Sequence, residues 1–314
     1  MTPLDTTELI RMLQAAARDE HAAIIQYLRH AYLMGEGELA GEIEGIAREE
    51  MRHFWILSRW IVRLGGDTDT DRGFTDLAGD AVPDWMGRDV AAEDRAIAMY
   101  EEYLTRIEDP DLRDDIAYIL ADERRHRDDF AHFVEKTEQE PPGEADEPAA
   151  PLAAIDREAL DWGVQHEYGA LLQYLVHSFE MMDLDEEVSS QLLMQAINEM
   201  QHMGWFGEEL AESGLEMPLT HPPLELPAAP TDKLQVNIRQ EQETAAQYAR
   251  YLPQIADPGV KGVLDDARGQ ELYHEALFKR LLKRVETSHP EPPPASVPAP
   301  TSKVWTIGTL KKKE

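Results

Sequence analysis

The chain has 314 residues, 62 of them acidic and 30 basic, giving a formal net charge of −32, and it contains no cysteine. Such a charge repels a phosphate backbone and excludes nucleic acid as a partner. The missing cysteine excludes disulfides, iron–sulfur clusters, thiolate zinc sites and a cysteine nucleophile. No run reaches the roughly 18 to 20 apolar residues of a membrane span, and "MTPLDTTELIRML" has no basic start followed by an apolar core. The expectation is a soluble cytoplasmic chain with no membrane partner.

Apolar residues recur with a period near 3.6 between Pro-rich breaks, and no segment alternates as a strand does. The first predicted helix carries Leu9, Leu13, Ala16, Glu20, Ile24, Tyr27 and Ala31 on one face. The second carries Ile43, Ile46, Glu50, His53, Leu57, Trp60 and Leu64. A long non-periodic stretch, residues 65–85, precedes the third, with Val90, Glu93, Ile97, Tyr100 and Leu104. The fourth has Leu112, Ile116, Ile119, Glu123, His126, Phe130 and Phe133. Four more helices follow, interrupted by "HPPLELPAAPTD" at 221–232. The expected fold is all-α: two tandem four-helix bundles, each with one long crossover connection, the ferritin-like arrangement. Bundle 1 is expected over 1–137, a Pro-rich acidic linker over 138–151 and bundle 2 over 152–287. A Pro-rich spacer over 288–302 and a C-terminal peptide over 303–314 complete the chain.

The halves repeat each other. Glu20 maps to Glu167 at an offset of 147, Glu50 and His53 to Glu199 and His202 at 149, and Glu93, Glu123 and His126 to Glu241, Glu271 and His274 at 148. Each half is itself doubled, "EHAAIIQY" (20–27) matching "EDRAIAMY" (93–100). Four carboxylates and two imidazoles would thus enter each bundle interior, where burying them unpartnered costs several kcal/mol each. Two divalent cations offset this: four carboxylate charges balance two dications, and an oxygen and imidazole donor set suits iron or manganese. One Glu from each of two helices, with Glu-x-x-His from each of the others, is the di-iron carboxylate pattern. Glu20, Glu50, His53, Glu93, Glu123 and His126 are therefore candidate ligands in the first half. Glu167, Glu199, His202, Glu241, Glu271 and His274 are the candidates in the second. Tyr27, Tyr100, Tyr174 and Tyr248 follow the lone Glu of their helices by seven residues and are placed to hydrogen-bond ligand carboxylates. His21, His30, His132, His166, His177, His221 and His289 lack the pattern and are expected at the surface or as caps.

"DEHAAIIQYLRHAYLM" and "EEMRHFWILSRWIVRLGGDTD" resemble the first two helices of bacterioferritin and its ferritin-like relatives, closely over about 5–136 and more loosely over 155–285. That resemblance implies that Glu50 and Glu123 bridge two metals, Glu20 and Glu93 bind terminally, and His53 and His126 each take one metal. The second half would copy this. It also implies a ferroxidase that oxidises Fe2+ with O2 or H2O2. Met51 and Met200, one residue past a ligand Glu, resemble the haem-ligating Met of bacterioferritin, which implies haem b clasped between the halves. Fused bundles followed by Pro-rich segments argue against a ferritin cage as the assembly of this chain.

The C-terminus, "SKVWTIGTLKKKE", follows a Pro-rich spacer, so its apolar residues have nothing local to pack on and read as a ligand for another protein. The stretch Val304, Trp305, Thr306, Ile307, Gly308, Thr309 and Leu310 is similar to the cargo-loading peptides of encapsulin cargo proteins. The expected partner is an encapsulin shell protein, and the expected location is the lumen of an encapsulin nanocompartment in the cytoplasm. The expected function is Fe2+ oxidation for iron storage and detoxification. The alternatives are a manganese or iron peroxidase or catalase that protects against oxidants, and a non-enzymatic helical scaffold.

Overall fold

A computed structural model describes residues 5–35, 37–139 and 151–288, and all its regular structure is helical. In the first half these are α1 (Thr6–Met34), α2 (Glu38–Arg63), α3 (Val82–Arg106) and α4 (Pro110–Gln139). In the second they are α5 (Ala154–Met181), α6 (Glu186–Glu212), α7 (Pro230–Tyr251) and α8 (Pro258–Ser288). Side-chain oxygens start several of them by accepting orphan backbone N–H groups. Asp5 accepts from Glu8, Asp109 from Asp111 and Leu112, Asp185 from Glu187 and Val188, and Asp257 from Gly259 and Val260. Gly35 ends α1 at φ 69°, a left-handed value that a side chain would strain.

Helices α1 and α2 form one hairpin and α3 and α4 another; the crossover from Leu64 to Ala81 sets them side by side as a four-helix bundle. Helices α5 to α8 repeat this with their own long crossover. The apolar faces read from the sequence are the buried faces, with Leu13, Ile24, Ile43, Leu57, Leu112, Ile116 and Phe130 all in the core. The segments predicted as the linker and spacer fall mostly outside the described residues, as does the whole C-terminal peptide. No helix among the described residues is long and apolar enough to cross a membrane.

The bundles pack on one another, α1 against α6 and α2 against α5. The Tyr32 hydroxyl donates to the carbonyl of Met200 at 2.9 Å, Trp55 Nε1 donates to Ser178 Oγ at 2.9 Å, and His21 Nε2 lies 2.6 Å from the Tyr168 hydroxyl. Met51 and Met200 are both buried on these helices.

Three histidines expected at the surface are not there: His21, His30 and His177 are fully buried. Helices α1 and α5 are covered on three sides, by their own bundle, by the partner bundle and by a crossover. Backbone contacts such as Gly73 N–H to the Arg18 carbonyl at 2.8 Å hold the first crossover down. A helix covered this way buries residues well off its core face. Each such histidine has a polar partner, His30 with Asp89 at 2.9 Å and His177 with Asn237 at 2.9 Å.

Candidate metal centres

Steps of three and four residues put Glu50 and His53 on one face of α2, and Glu123 and His126 on one face of α4. Helices α1 and α3 bring Glu20 and Glu93 from the other side. All six are at most 3% exposed. Glu50 reaches both imidazoles, with Oε2 3.0 Å from His53 Nδ1 and Oε1 2.7 Å from His126 Nδ1. Glu123 does the same, at 3.0 Å and 3.9 Å. Glu20 approaches only His53, at 3.6 Å, and Glu93 only His126, at 3.8 Å. The result is two overlapping quartets, Glu20, Glu50, His53 and Glu123, and Glu50, Glu93, Glu123 and His126, each with donor atoms within 4.8 Å of one another.

Bundle 2 reproduces this arrangement. Glu199 lies 2.9 Å from both His202 and His274, and Glu271 lies 3.0 Å and 3.5 Å from them. Glu167 approaches His202 at 3.7 Å and Glu241 approaches His274 at 3.9 Å. Its quartets are Glu167, Glu199, His202 and Glu271, and Glu199, Glu241, Glu271 and His274.

The donor atoms aim at shared space as much as at each other. His126 Nδ1, Glu50 Oε1 and Glu123 Oε1 are buried without a well-aligned hydrogen bond, and so are His202 Nδ1, His274 Nδ1, Glu271 Oε1 and both oxygens of Glu199. Polar atoms buried in this way are rare and call for a ligand. Two ligands about 2.1 Å from one cation and at right angles to each other stand roughly 3.0 Å apart. The 2.7 to 3.0 Å contacts have that spacing. Six hard and borderline donors, with two carboxylates shared between quartets, fit a pair of divalent cations.

Without metal, the charges settle among the ligands. Burial, then Glu123 and Glu50, push the Glu20 carboxyl well above its ordinary value. Burial and Glu123 do the same to Glu93. Burial opposes charge on His126, but Glu50 outweighs it and raises the imidazole to about 9. For His274, Glu199 and Glu271 outweigh burial and raise it to about 10. Metal must displace these protons to enter.

The four tyrosines hold Glu20, Glu93, Glu167 and Glu241 across the bundle. Tyr27 donates to Glu93 Oε1 at 2.6 Å, and Tyr100 donates to Glu20. In bundle 2, Tyr174 donates to Glu241 and Tyr248 to Glu167. Each reaches the lone Glu of the facing helix rather than that of its own. Sequence reasoning missed the partners of the far imidazole nitrogens. His53 Nε2 meets Asp122 at 3.3 Å and His126 Nε2 meets Glu49 at 2.6 Å. The signal lay one residue before each shared Glu, in "EEMRH" and "DERRH".

A cavity of about 310 Å³ reaches the first centre between α1 and α3, with Glu20, Glu50, Glu93 and Glu123 on its wall. A larger one, about 910 Å³, lies where α2 meets the second bundle and is lined by Met51, Trp55, Ile56, Leu193 and Ile197. Met51 is on its wall, and Met200 is buried on α6.

Residues 13–141 match the family model described as Ferritin-like. Over these residues the first bundle is similar to the ferritin-like superfamily. Over 100 residues this chain is 34% identical to a bacterioferritin of Desulfovibrio desulfuricans, a match covering 31% of this chain and 56% of that protein. The chain thus spans little more than half the length of the curated relative it matches. A crystal structure of the Desulfovibrio desulfuricans bacterioferritin, described by its di-iron site in different catalytic states, aligns at 28% identity and a TM-score of 0.41. It covers 43% of this chain and 82% of that one. The ferritin-like match falls on the bundle that carries Glu20 to His126; the internal repeat extends the same ligand pattern to the second.

Proposed function

We propose that the chain is a ferroxidase with two di-iron centres, one per bundle, oxidising Fe2+ with O2 or H2O2. The observation that carries this is the shared placement of Glu50 and Glu123 between His53 and His126, copied by Glu199 and Glu271 between His202 and His274. An iron pair held there would supply two electrons to one oxidant at once. The protein's part is positional. Glu50, Glu123, Glu199 and Glu271 are the bridging candidates, and Glu20, Glu93, Glu167 and Glu241 the terminal ones. Tyr27, Tyr100, Tyr174 and Tyr248 fix the terminal carboxylates, and the apolar cores of the bundles limit water around the centres. The cavity walled by Glu20, Glu50, Glu93 and Glu123 offers Fe2+ an acidic entry to the first centre.

On this reading residues 303–314 dock the chain inside an encapsulin shell, which takes the place of a ferritin cage as the store for oxidised iron. The support is the sequence of that peptide and its spacer, which lie outside the described residues. Haem b between Met51 and Met200, both buried, stays an expectation from the resemblance alone and is no part of the ferroxidase reading.

The test is metal counting and iron oxidation on the full chain. Wild type should bind four metals. Glu50→Ala with Glu123→Ala should bind two, and the matching change at Glu199 and Glu271 should also leave two. Unchanged counts in both double variants sink the assignment. Peroxide disproportionation without net Fe2+ oxidation would instead favour the oxidant-protection reading.

A further inference from the structure

The two ligand boxes match in their inner residues and differ one layer out. In bundle 1 the far nitrogens of the histidines face carboxylates: His53 Nε2 is 3.3 Å from Asp122 Oδ2 and His126 Nε2 is 2.6 Å from Glu49 Oε2. In bundle 2 the same positions hold neutral amides. His202 Nε2 is 3.0 Å from Gln270 Oε1, whereas His274 Nε2 is 3.5 Å from the amide nitrogen Nδ2 of Asn198, which donates to Gln195 Oε1 at 3.2 Å. Asp122 maps to Gln270 at an offset of 148 and Glu49 to Asn198 at 149, the offsets of the ligands themselves. Both differences are therefore substitutions at equivalent positions. Arg125 bridges the two acids of bundle 1, donating to Asp122 at 2.7 Å and to Glu49. Its counterpart, Tyr273, is uncharged and largely exposed. The outer layer of the first centre thus carries one more net negative charge than that of the second.

A histidine whose near nitrogen binds metal carries its proton on the far nitrogen. A carboxylate accepting that proton orients the ring and makes the near nitrogen a stronger donor; an amide oxygen, as at Gln270, does so more weakly, and an amide nitrogen, as at Asn198, does not accept it at all. We infer that the two centres are inequivalent, with Glu49 and Asp122 acting as positioning residues that make the first hold its metal pair more tightly than the second. This rests on the metal-binding reading above. Losing one such outer partner typically lowers metal affinity about 10- to 100-fold. Arg125 offsets part of the charge of its two acids, so one factor of that size is the expected gap.

The test is calorimetric titration of Co2+ alone into the metal-free full chain, which follows binding without turnover. Wild type should show two classes of two metals, about 10- to 100-fold apart. Glu49→Gln with Asp122→Asn should move the tight class to the weak one. Asn198→Glu with Gln270→Asp should move the weak class toward the tight one, a gain that damage to the fold cannot produce. One class of four equal sites, or two classes that neither exchange moves, overturns the inference and leaves the metal-binding reading standing. No bound Co2+ in any of the chains overturns both.

Discussion

Tyr27→Phe deletes one hydroxyl and keeps the ring packed on Phe130, whose centroid is 4.8 Å away. The lost contact is the 2.6 Å hydrogen bond to Glu93 Oε1, buried on both sides. A hydrogen bond to a charged acceptor is worth about 1.5 to 3 kcal/mol. Glu93 would then lose about that much of its hold on the geometry a terminal ligand needs. The same energy converts to a fall in metal affinity at the first centre of about 10- to 100-fold. The molecule supplies its own control: Tyr174 and Glu241 make the equivalent contact in bundle 2 and are untouched. Calorimetric Co2+ titration of metal-free Tyr27→Phe should show weakening confined to one of the two pairs of metals. Tyr174→Phe should weaken the other pair. Affinity unchanged in both variants, or lowered equally at both centres by either, would refute the idea that these hydroxyls position ligands.

Burial, with Lys233 nearby, pushes His177 down to about 3, so the folded state stays neutral where the unfolded chain takes up a proton. Its folded value lies below the unfolded one of about 6.5, so stability is full above pH 6.5 and falls as pH drops toward 3. Metal-free wild type should therefore lose about 1.4 kcal/mol relative to His177→Gln between pH 7.5 and 5.5, measured by urea unfolding. A pH-independent difference argues against a buried neutral imidazole. Gly204→Ala would set a methyl 2.9 Å from the Tyr32 ring and should cost about 1 to 3 kcal/mol at the bundle interface, read as a lower midpoint in the same assay. Truncation after Pro300 should abolish loading into a co-expressed shell while leaving Fe2+ oxidation by the free protein intact; equal loading of both chains excludes the docking role.

The bundle interiors were legible because helical period and chemistry coincide there. Glu50 and His53 fall on the apolar face of Ile43, Ile46 and Leu57, and only a ligand set explains that combination four times over. What lay outside the period was hidden. His30 and His177 are one helical step away from the ligand face, and their burial depends on Asp89, on Asn237 and on crossovers that wrap α1 and α5. No periodicity within one helix reports a cover supplied by a segment dozens of residues away. Asp122 and Glu49 were readable in principle, since each immediately precedes a shared Glu. In an acidic helix an extra carboxylate reads as a solvated face until a distance ties it to an imidazole.

Fusion of the two bundles explains how such differences can persist. In a two-fold dimer of identical chains, every interface residue must suit its own copy as well as its neighbour. Here equivalent positions carry different residues that fit each other. His21 and Tyr168 are equivalent, offset by 147 like Glu20 and Glu167, and they meet as a hydrogen-bonding pair at 2.6 Å rather than as two histidines or two tyrosines. Trp55 and Gly204 are equivalent at an offset of 149. The glycine makes room for Tyr32, while the tryptophan donates to Ser178. Neither choice would serve at both places. An interface released from symmetry in this way places no symmetry demand on the centres behind it. The acids behind His53 and His126 and the amides behind His202 and His274 are the same freedom expressed one layer deeper, where it falls on metal binding rather than on packing.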